Sequence, residues 1–151
     1  MLFDFFYAGM VAIGFAILFS SPKETLFFVF LTGGLGYEIR DFLIEKMFLG
    51  YEISTYFSAF AISVLGIVFA KLQKIPQSVY VISGSIVLVP GIYAYETMIA
   101  FIDFATSTLQ NDTNMLKLLQ NGSKTTLTLG AIAFGITTPS IIFRRYAFKL
   151  S

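Results

Sequence analysis

The residues best suited to chemistry follow a proline-glycine pair inside an apolar stretch. Pro90 removes a backbone donor and clashes with the preceding turn, so a helix that reaches it should break. Proline also suits the first position of a new helix, whose unpaired amides and positive dipole end favour an anion. We predict a substrate-carboxylate site that contains Pro90, Gly91, Ile92, Tyr93 and Tyr95. The alternative is a kink that serves only packing, with interfacial tyrosines.

Two carboxyl groups follow on the same predicted helix. Glu96 and Asp103 are seven residues apart, so they share one helix face. A carboxyl group near the membrane interior is costly enough to indicate an ion or proton route. We therefore predict proton-coupling roles for both, with Glu96 in a poorly hydrated cavity and Asp103 at a solvated outlet.

Arg40 is the best single counter-ion for an anionic substrate, because it is the only arginine before Arg144 and Arg145. We include it among the predicted substrate-binding residues. The alternative is a salt bridge with Glu38 or Asp41, or a contact with a lipid phosphate.

Cysteine and histidine are both absent, which excludes disulfides, thiolate chemistry and histidine acid-base catalysis. Their absence also removes the usual ligands of a zinc site. We expect no metal, no cofactor and no enzymatic activity. The net charge is +1 and no basic run is longer than Arg144 and Arg145, so we expect no nucleic-acid partner.

The elements that position these residues belong in a lipid bilayer. Of the 151 residues, 56% are apolar and only 13% are charged, whereas soluble domains carry roughly a quarter charged residues. The expected fold class is therefore an all-α integral membrane protein. We treat residues 1–151 as a single domain.

A helix needs about 20 mostly apolar residues to cross the hydrocarbon core. Four intervals without charges approach this length. A fifth, residues 25–37, is shorter and crosses only if it continues past Glu38, Arg40 and Asp41 to residue 44. We predict about five transmembrane helices, at residues 5–22, 25–44, 53–70, 75–103 and 125–143, of which the fourth is broken at the proline-glycine pair.

The basic residues distinguish four spans from five. With four spans, they split evenly between the two sides of the membrane. With five, one side has the single acid Glu24 and six basic residues: Lys23, Lys71, Lys74, Arg144, Arg145 and Lys149. The positive-inside rule then places the N-terminus outside and the C-terminus in the cytoplasm.

Two connections complete the predicted topology. Ile39, Phe42 and Met47 recur at helical spacing and predict a helix along the membrane surface. In the connection that spans residues 106–124, we predict a short helix that starts near Asn111 and stops near Asn121.

Four stretches of the chain resemble the integral-membrane half of the threonine/serine exporter family. The proline-glycine turn with its trailing tyrosine is the most specific of them. The matching residues are Gly14, Phe15, Ala16, Phe19 and Pro22; Gly33, Gly36 and Arg40; Pro76, Pro90, Gly91, Ile92, Ala94, Tyr95 and Met98; and Gly135, Pro139, Arg144 and Arg145. The chain is most similar to the short stand-alone subunit that bacteria pair with a larger one and that is linked to succinate export.

This resemblance implies a secondary exporter of about ten spans, split into two halves of opposite orientation with the site between them. The partner would be a larger membrane subunit of complementary topology, and the substrate a small carboxylate. A homo-oligomer is an alternative assembly. The family position that corresponds to Glu96 is not consistently acidic, so its proton role rests on this sequence alone.

We therefore predict the small subunit of a two-component exporter for threonine, serine or a succinate-type dicarboxylate in the bacterial inner membrane. The alternative from another functional class is a non-transporting scaffold subunit that stabilises a partner membrane protein. The sequence argues against an intramembrane enzyme, because no serine nucleophile is accompanied by a plausible general base.

Overall fold

The computed structural model of the chain describes residues 2–106 and 112–147, with the side chains of residues 3–106 and 115–143. Helices hold nearly all of these residues, and none of them lies in a strand. The α-helices are α1 (Leu2–Leu18), α2 (Leu26–Met47), α3 (Tyr51–Gln73), α4 (Gln77–Ser85), α5 (Gly91–Thr106) and α6 (Asp112–Ala147). Short 3-10 turns lie at Lys23–Thr25, before α2, and at Ile86–Leu88, directly after α4.

Left-handed residues end the first three helices. Ser20, Phe48 and Lys74 follow α1, α2 and α3 with φ angles of 56°, 51° and 57°. A left-handed residue at this position turns the chain back so that its amide can pair with a carbonyl of the last helical turn. Pro22 and Pro76 come next and start the following elements, because proline fits a helix start and resists helix continuation.

Small residues bring the helices of the bundle close together. α2 contacts α1, α3 and α4, while α6 packs along α3 and α5. A Cβ atom at Gly33 would lie 2.5 Å from the Cβ of Ala12, and one at Gly135 would lie 2.6 Å from the carbonyl oxygen of Tyr56. Glycine is therefore needed at both crossings, as is common in membrane helix packing.

Two helices of the described chain are long and apolar enough to cross a membrane, at Tyr51–Gln73 and Met115–Phe143. A third crossing results if Gln77–Leu88 and Gly91–Thr106, which are bent by 61°, form one broken span. The apolar helix Phe3–Leu18 is shorter. The all-α membrane class and the broken fourth helix are confirmed, whereas the count of about five spans stays a prediction.

Both predicted connections were wrong in detail. α2 is continuous from Leu26 to Met47, so the segment that contains Ile39 and Phe42 is not a separate surface helix. The sequence offers no glycine or proline after Gly36 to break α2 before Gly50. α6 likewise runs through Asn121 and Gly122, because an isolated glycine does not stop a helix unless the backbone turns left-handed there.

Candidate functional site

The break in the fourth helix packs against the bundle on one side. After α4 the chain forms the 3-10 turn Ile86–Leu88, becomes extended at Val89, and starts α5 at Gly91. The turn contacts α1, α2 and α3, and both Leu88 and Pro90 are buried. Irregular backbone at membrane depth is tolerated only where it faces protein or a water-filled cavity. The position of this break meets that requirement.

The first turn of α5 presents unpaired donors. Ala94 donates its amide to the Pro90 carbonyl at 3.0 Å, and Gly91 donates to Val89 at 2.9 Å. The amides of Ile92 and Tyr93 have no acceptor in the described part of the chain. Because helix dipoles add to such free amides, this turn is suited to hold an anion.

Open space adjoins the break on one side. A Cβ atom at Gly91 would meet nothing within 4 Å, and its φ is not positive, so no backbone strain requires glycine here. Ile92 is 75% exposed and Tyr95 is 63% exposed. Room for a ligand or another protein therefore lies beside the two free amides.

Arg40 reaches the break from α2. Its side chain is only 8% exposed, and Nη1 donates hydrogen bonds of 3.3 Å to the Leu88 carbonyl oxygen and to the Tyr51 hydroxyl. The guanidinium carbon lies 4.7 Å from the ring centroid of Tyr37 and 5.3 Å from that of Tyr51, at cation-π distance. The structure thus places the predicted counter-ion at the predicted turn, 48 residues away in sequence.

The surroundings of Arg40 leave part of its charge uncompensated. Within the described residues, no ion pair joins Arg40 to Glu38 or Asp41. Only Nη1 has hydrogen-bond partners there, so the N–H groups on Nη2 and Nε remain available. A buried charge is costly without partners, and a guanidinium fork fits a carboxylate. The arrangement can bind a carboxylate next to the α5 amides.

Three polar groups of this region were not among the predicted site residues. The Tyr51 hydroxyl bonds to Arg40, the fully buried Ser54 hydroxyl has no partner among the described residues, and the same is true of the buried Oε1 atom of Glu38. Tyr51, Ser54 and Ser58 follow at spacings of three and four, which puts them on one helix face. That spacing is the signal that could have found the two α3 hydroxyls, whereas Glu38 was considered only as an alternative partner of Arg40.

The predicted tyrosines separate in the structure. Tyr93 lies against Tyr51 with ring centroids 6.1 Å apart, and the Lys124 ammonium lies 5.0 Å from the centroid of Tyr93. Tyr93 therefore belongs to the aromatic cluster around Arg40. Tyr95 is exposed, and its side chain makes no hydrogen bond or ring contact within the described chain.

Glu96 and Asp103 line a cavity of about 320 Å³ between α5 and α6. Asn121 donates a hydrogen bond of 2.9 Å to the Glu96 carboxylate. Both acids are exposed, and no other helix of the described chain covers them. The structure thus places the two acids at one cavity, and Arg40 is not among the residues that line it.

The depth of Glu96 follows from its partners on α6. Glu96 accepts a hydrogen bond from Asn121 of α6. Gln77, at the start of α4, donates one to Ser140 of the same helix. These positions are separated by 19 residues on one helix, which is a rise of about 28 Å. That distance is close to the thickness of the hydrocarbon core, about 30 Å. Glu96 therefore lies near the opposite end of the bundle from the start of α4.

Comparison with known proteins identifies the family of the chain. The family described as "Threonine/Serine exporter, ThrE" matches residues 4–142. An uncharacterized protein of Haemophilus influenzae is 26% identical over 145 residues, which cover 96% of this chain and 48% of that protein. The chain thus spans about half the length of this curated relative. No solved structure matches this chain. Since the family match covers nearly the whole chain, the predicted resemblance is confirmed, and the chain belongs to the threonine/serine exporter family.

Proposed function

We propose that this chain is the small subunit of a two-component secondary exporter in the bacterial inner membrane. The cargo is a small polar carboxylate, either threonine and serine or a succinate-type dicarboxylate. Membership in the exporter family supports the transport role. The relative of about twice this length supports a split arrangement, in which a second chain supplies the other half.

The substrate carboxylate binds at the break in the fourth helix. The free amides of Ile92 and Tyr93 donate hydrogen bonds to one side of the carboxylate, and the available N–H groups of Arg40 donate to the other. The observation that carries this assignment is the hydrogen bond from buried Arg40 to the Leu88 carbonyl. It fixes a positive charge at the end of the first half-helix, and the first of the unpaired donors follows four residues later in the chain.

Tyr93 and the turn residues Pro90 and Gly91 shape this site. Tyr93 contacts Tyr51, which in turn holds Arg40, so its ring closes one wall. Gly91 keeps the space beside the amides open. Tyr95 and Ile92 point to the exposed side of α5, where we place the larger subunit of complementary topology.

Proton coupling is assigned to Glu96 and Asp103. Their shared cavity lies near the end of the bundle that the positive-inside rule places outside. A proton taken up there would enter from the side where a respiring bacterium keeps protons concentrated. In this chain alone both acids are exposed, which suits Asp103 as a solvated outlet, so the partner subunit has to supply the poorly hydrated surroundings of Glu96.

Photochemical labelling separates this function from a scaffold role. A photoactivatable threonine or succinate analogue is added to the assembled complex, and the modified residues are identified by mass spectrometry. We expect labelling within residues 88–95 that excess unlabelled substrate suppresses. Labelling confined to the partner chain would instead favour the scaffold subunit.

A further inference from the structure

A second cavity lies at the opposite end of the bundle from Glu96. It has a volume of about 640 Å³ and opens between α3, α4 and α6. Its polar lining includes Lys71 and Gln77, and its apolar lining includes Ile67, Ile141 and Phe143. A charged group and an extended apolar wall thus face the same space.

Further basic residues lie at the same end of the bundle as this cavity. The Gln73 amide donates a hydrogen bond of 3.0 Å to the Glu24 carbonyl, which holds the turn Lys23–Thr25 beside the end of α3. Lys23, Lys71 and Lys74 therefore share this end of the molecule. Glu24 is the only acid in residues 19–25, 71–77 and 140–147. The local charge is strongly positive.

Hydrogen bonds orient the polar side of the cavity. The Ser140 hydroxyl donates to the Ile136 carbonyl at 3.0 Å and accepts from Gln77 Nε2 at 2.9 Å. This bond fixes the Gln77 amide and leaves its second N–H without a partner among the described residues. The Lys71 ammonium likewise has no carboxylate partner there. Both groups can donate to a phosphate.

We propose that this cavity binds an anionic phospholipid of the leaflet at the basic end. The phosphate contacts Lys71 and Gln77, and an acyl chain lies along Ile67 and Ile141. Basic pockets between transmembrane helices are suited to acidic lipid head groups. A small hydrophilic anion, such as the exported carboxylate, would leave the apolar wall without a partner. The lipid assignment does not depend on the identity of the cargo.

The test is lipid binding by the full chain purified with its partner. The complex is placed in phosphatidylcholine vesicles with and without phosphatidylglycerol, and retained phosphatidylglycerol is measured by native mass spectrometry. Lys71→Gln removes the charge at the cavity, and Lys74→Gln removes an equal charge at the same end outside the cavity lining. We expect Lys71→Gln to weaken retention about fivefold, with little change for Lys74→Gln.

A second variant tests the apolar part of the site. Thr137 lines the cavity and is exposed, so Thr137→Phe fills the space without a buried clash. We expect it to displace the lipid although every positive charge remains. If Lys71→Gln and Lys74→Gln lost phosphatidylglycerol retention equally, general surface charge would explain the binding. That result would contradict a specific site in this cavity. Full competition by soluble glycerol phosphate would overturn the lipid assignment in favour of a free anion.

Discussion

The Arg40 guanidinium donates a hydrogen bond of 3.3 Å to the carbonyl oxygen of Leu88, two residues before the break at Pro90. Leu88 ends the first half of the fourth helix, so its carbonyl has lost its usual amide partner. One side chain therefore satisfies the first half-helix and brings positive charge to the start of the second. The same side chain therefore contributes both to the stability of the broken helix and to its ability to bind an anion.

Substitution of Arg40 should affect both roles. Arg40→Gln leaves the Leu88 carbonyl poorly satisfied and removes the charge, so we expect export to be lost. The free energy of unfolding in detergent should fall by about 1–3 kcal/mol. Arg40→Lys restores the charge but not the planar fork, so export should recover only in part. Export by Arg40→Gln at the wild-type rate would contradict this role.

Gly91→Leu should abolish export while the protein still inserts in the membrane, because the new side chain would occupy the open space beside the α5 amides. Gly14→Leu is the matched control, since a Cβ atom at Gly14 also meets nothing within 4 Å but lies on α1. The measurement is threonine, serine and succinate efflux from cells that contain equal amounts of each variant. Equal efflux by both variants would rule out the proposed space.

Glu96→Gln should flatten the pH dependence of export, because a side-chain amide, unlike a carboxyl group, cannot take up and release a proton during transport. The Asn121 contact can be kept, since the glutamine side-chain oxygen still accepts a hydrogen bond. Glu45→Gln, at an exposed position of α2, should retain the wild-type profile. An unchanged profile for Glu96→Gln would reject proton coupling through this residue.

Gly33→Val should loosen the crossing of α1 and α2, because its side chain would overlap the Cβ of Ala12. Overpacking of this kind costs about 1–3 kcal/mol. We expect a lower thermal unfolding temperature in detergent, whereas Gly14→Val should change it much less. Equal unfolding temperatures for Gly33→Val and the wild type would show that this close crossing is not required.

The break and its neighbours could be predicted from sequence, but the position of Arg40 could not. Pro90 acts locally, through its missing donor and its ring, so one residue predicts the interruption. Arg40 reaches Leu88 only because α2 and α4 approach closely at Gly33 and Gly84, where a Cβ at Gly84 would lie 2.8 Å from the Thr32 hydroxyl. Such an approach depends on packing between residues about 50 positions apart.

The lengths of α2 and α6 were mispredicted for a related reason. Charged residues such as Glu45 and Lys117 mark where a helix leaves the hydrocarbon, but they do not end the helix itself. Charge patterns therefore give the membrane boundary, while helix ends follow backbone signals such as the left-handed Phe48.

The most direct measurement places a fluorescent reporter at the break. The chain has no tryptophan, so Ile92→Trp gives it a single indole at a position that is 75% exposed. Phe134→Trp, at a position 72% exposed on α6, is the control. In a complex whose partner lacks tryptophan, threonine, serine or succinate should change the emission at position 92 saturably, and Arg40→Gln should abolish that change. No change at position 92, or equal changes at both positions, would contradict a carboxylate site at the broken helix.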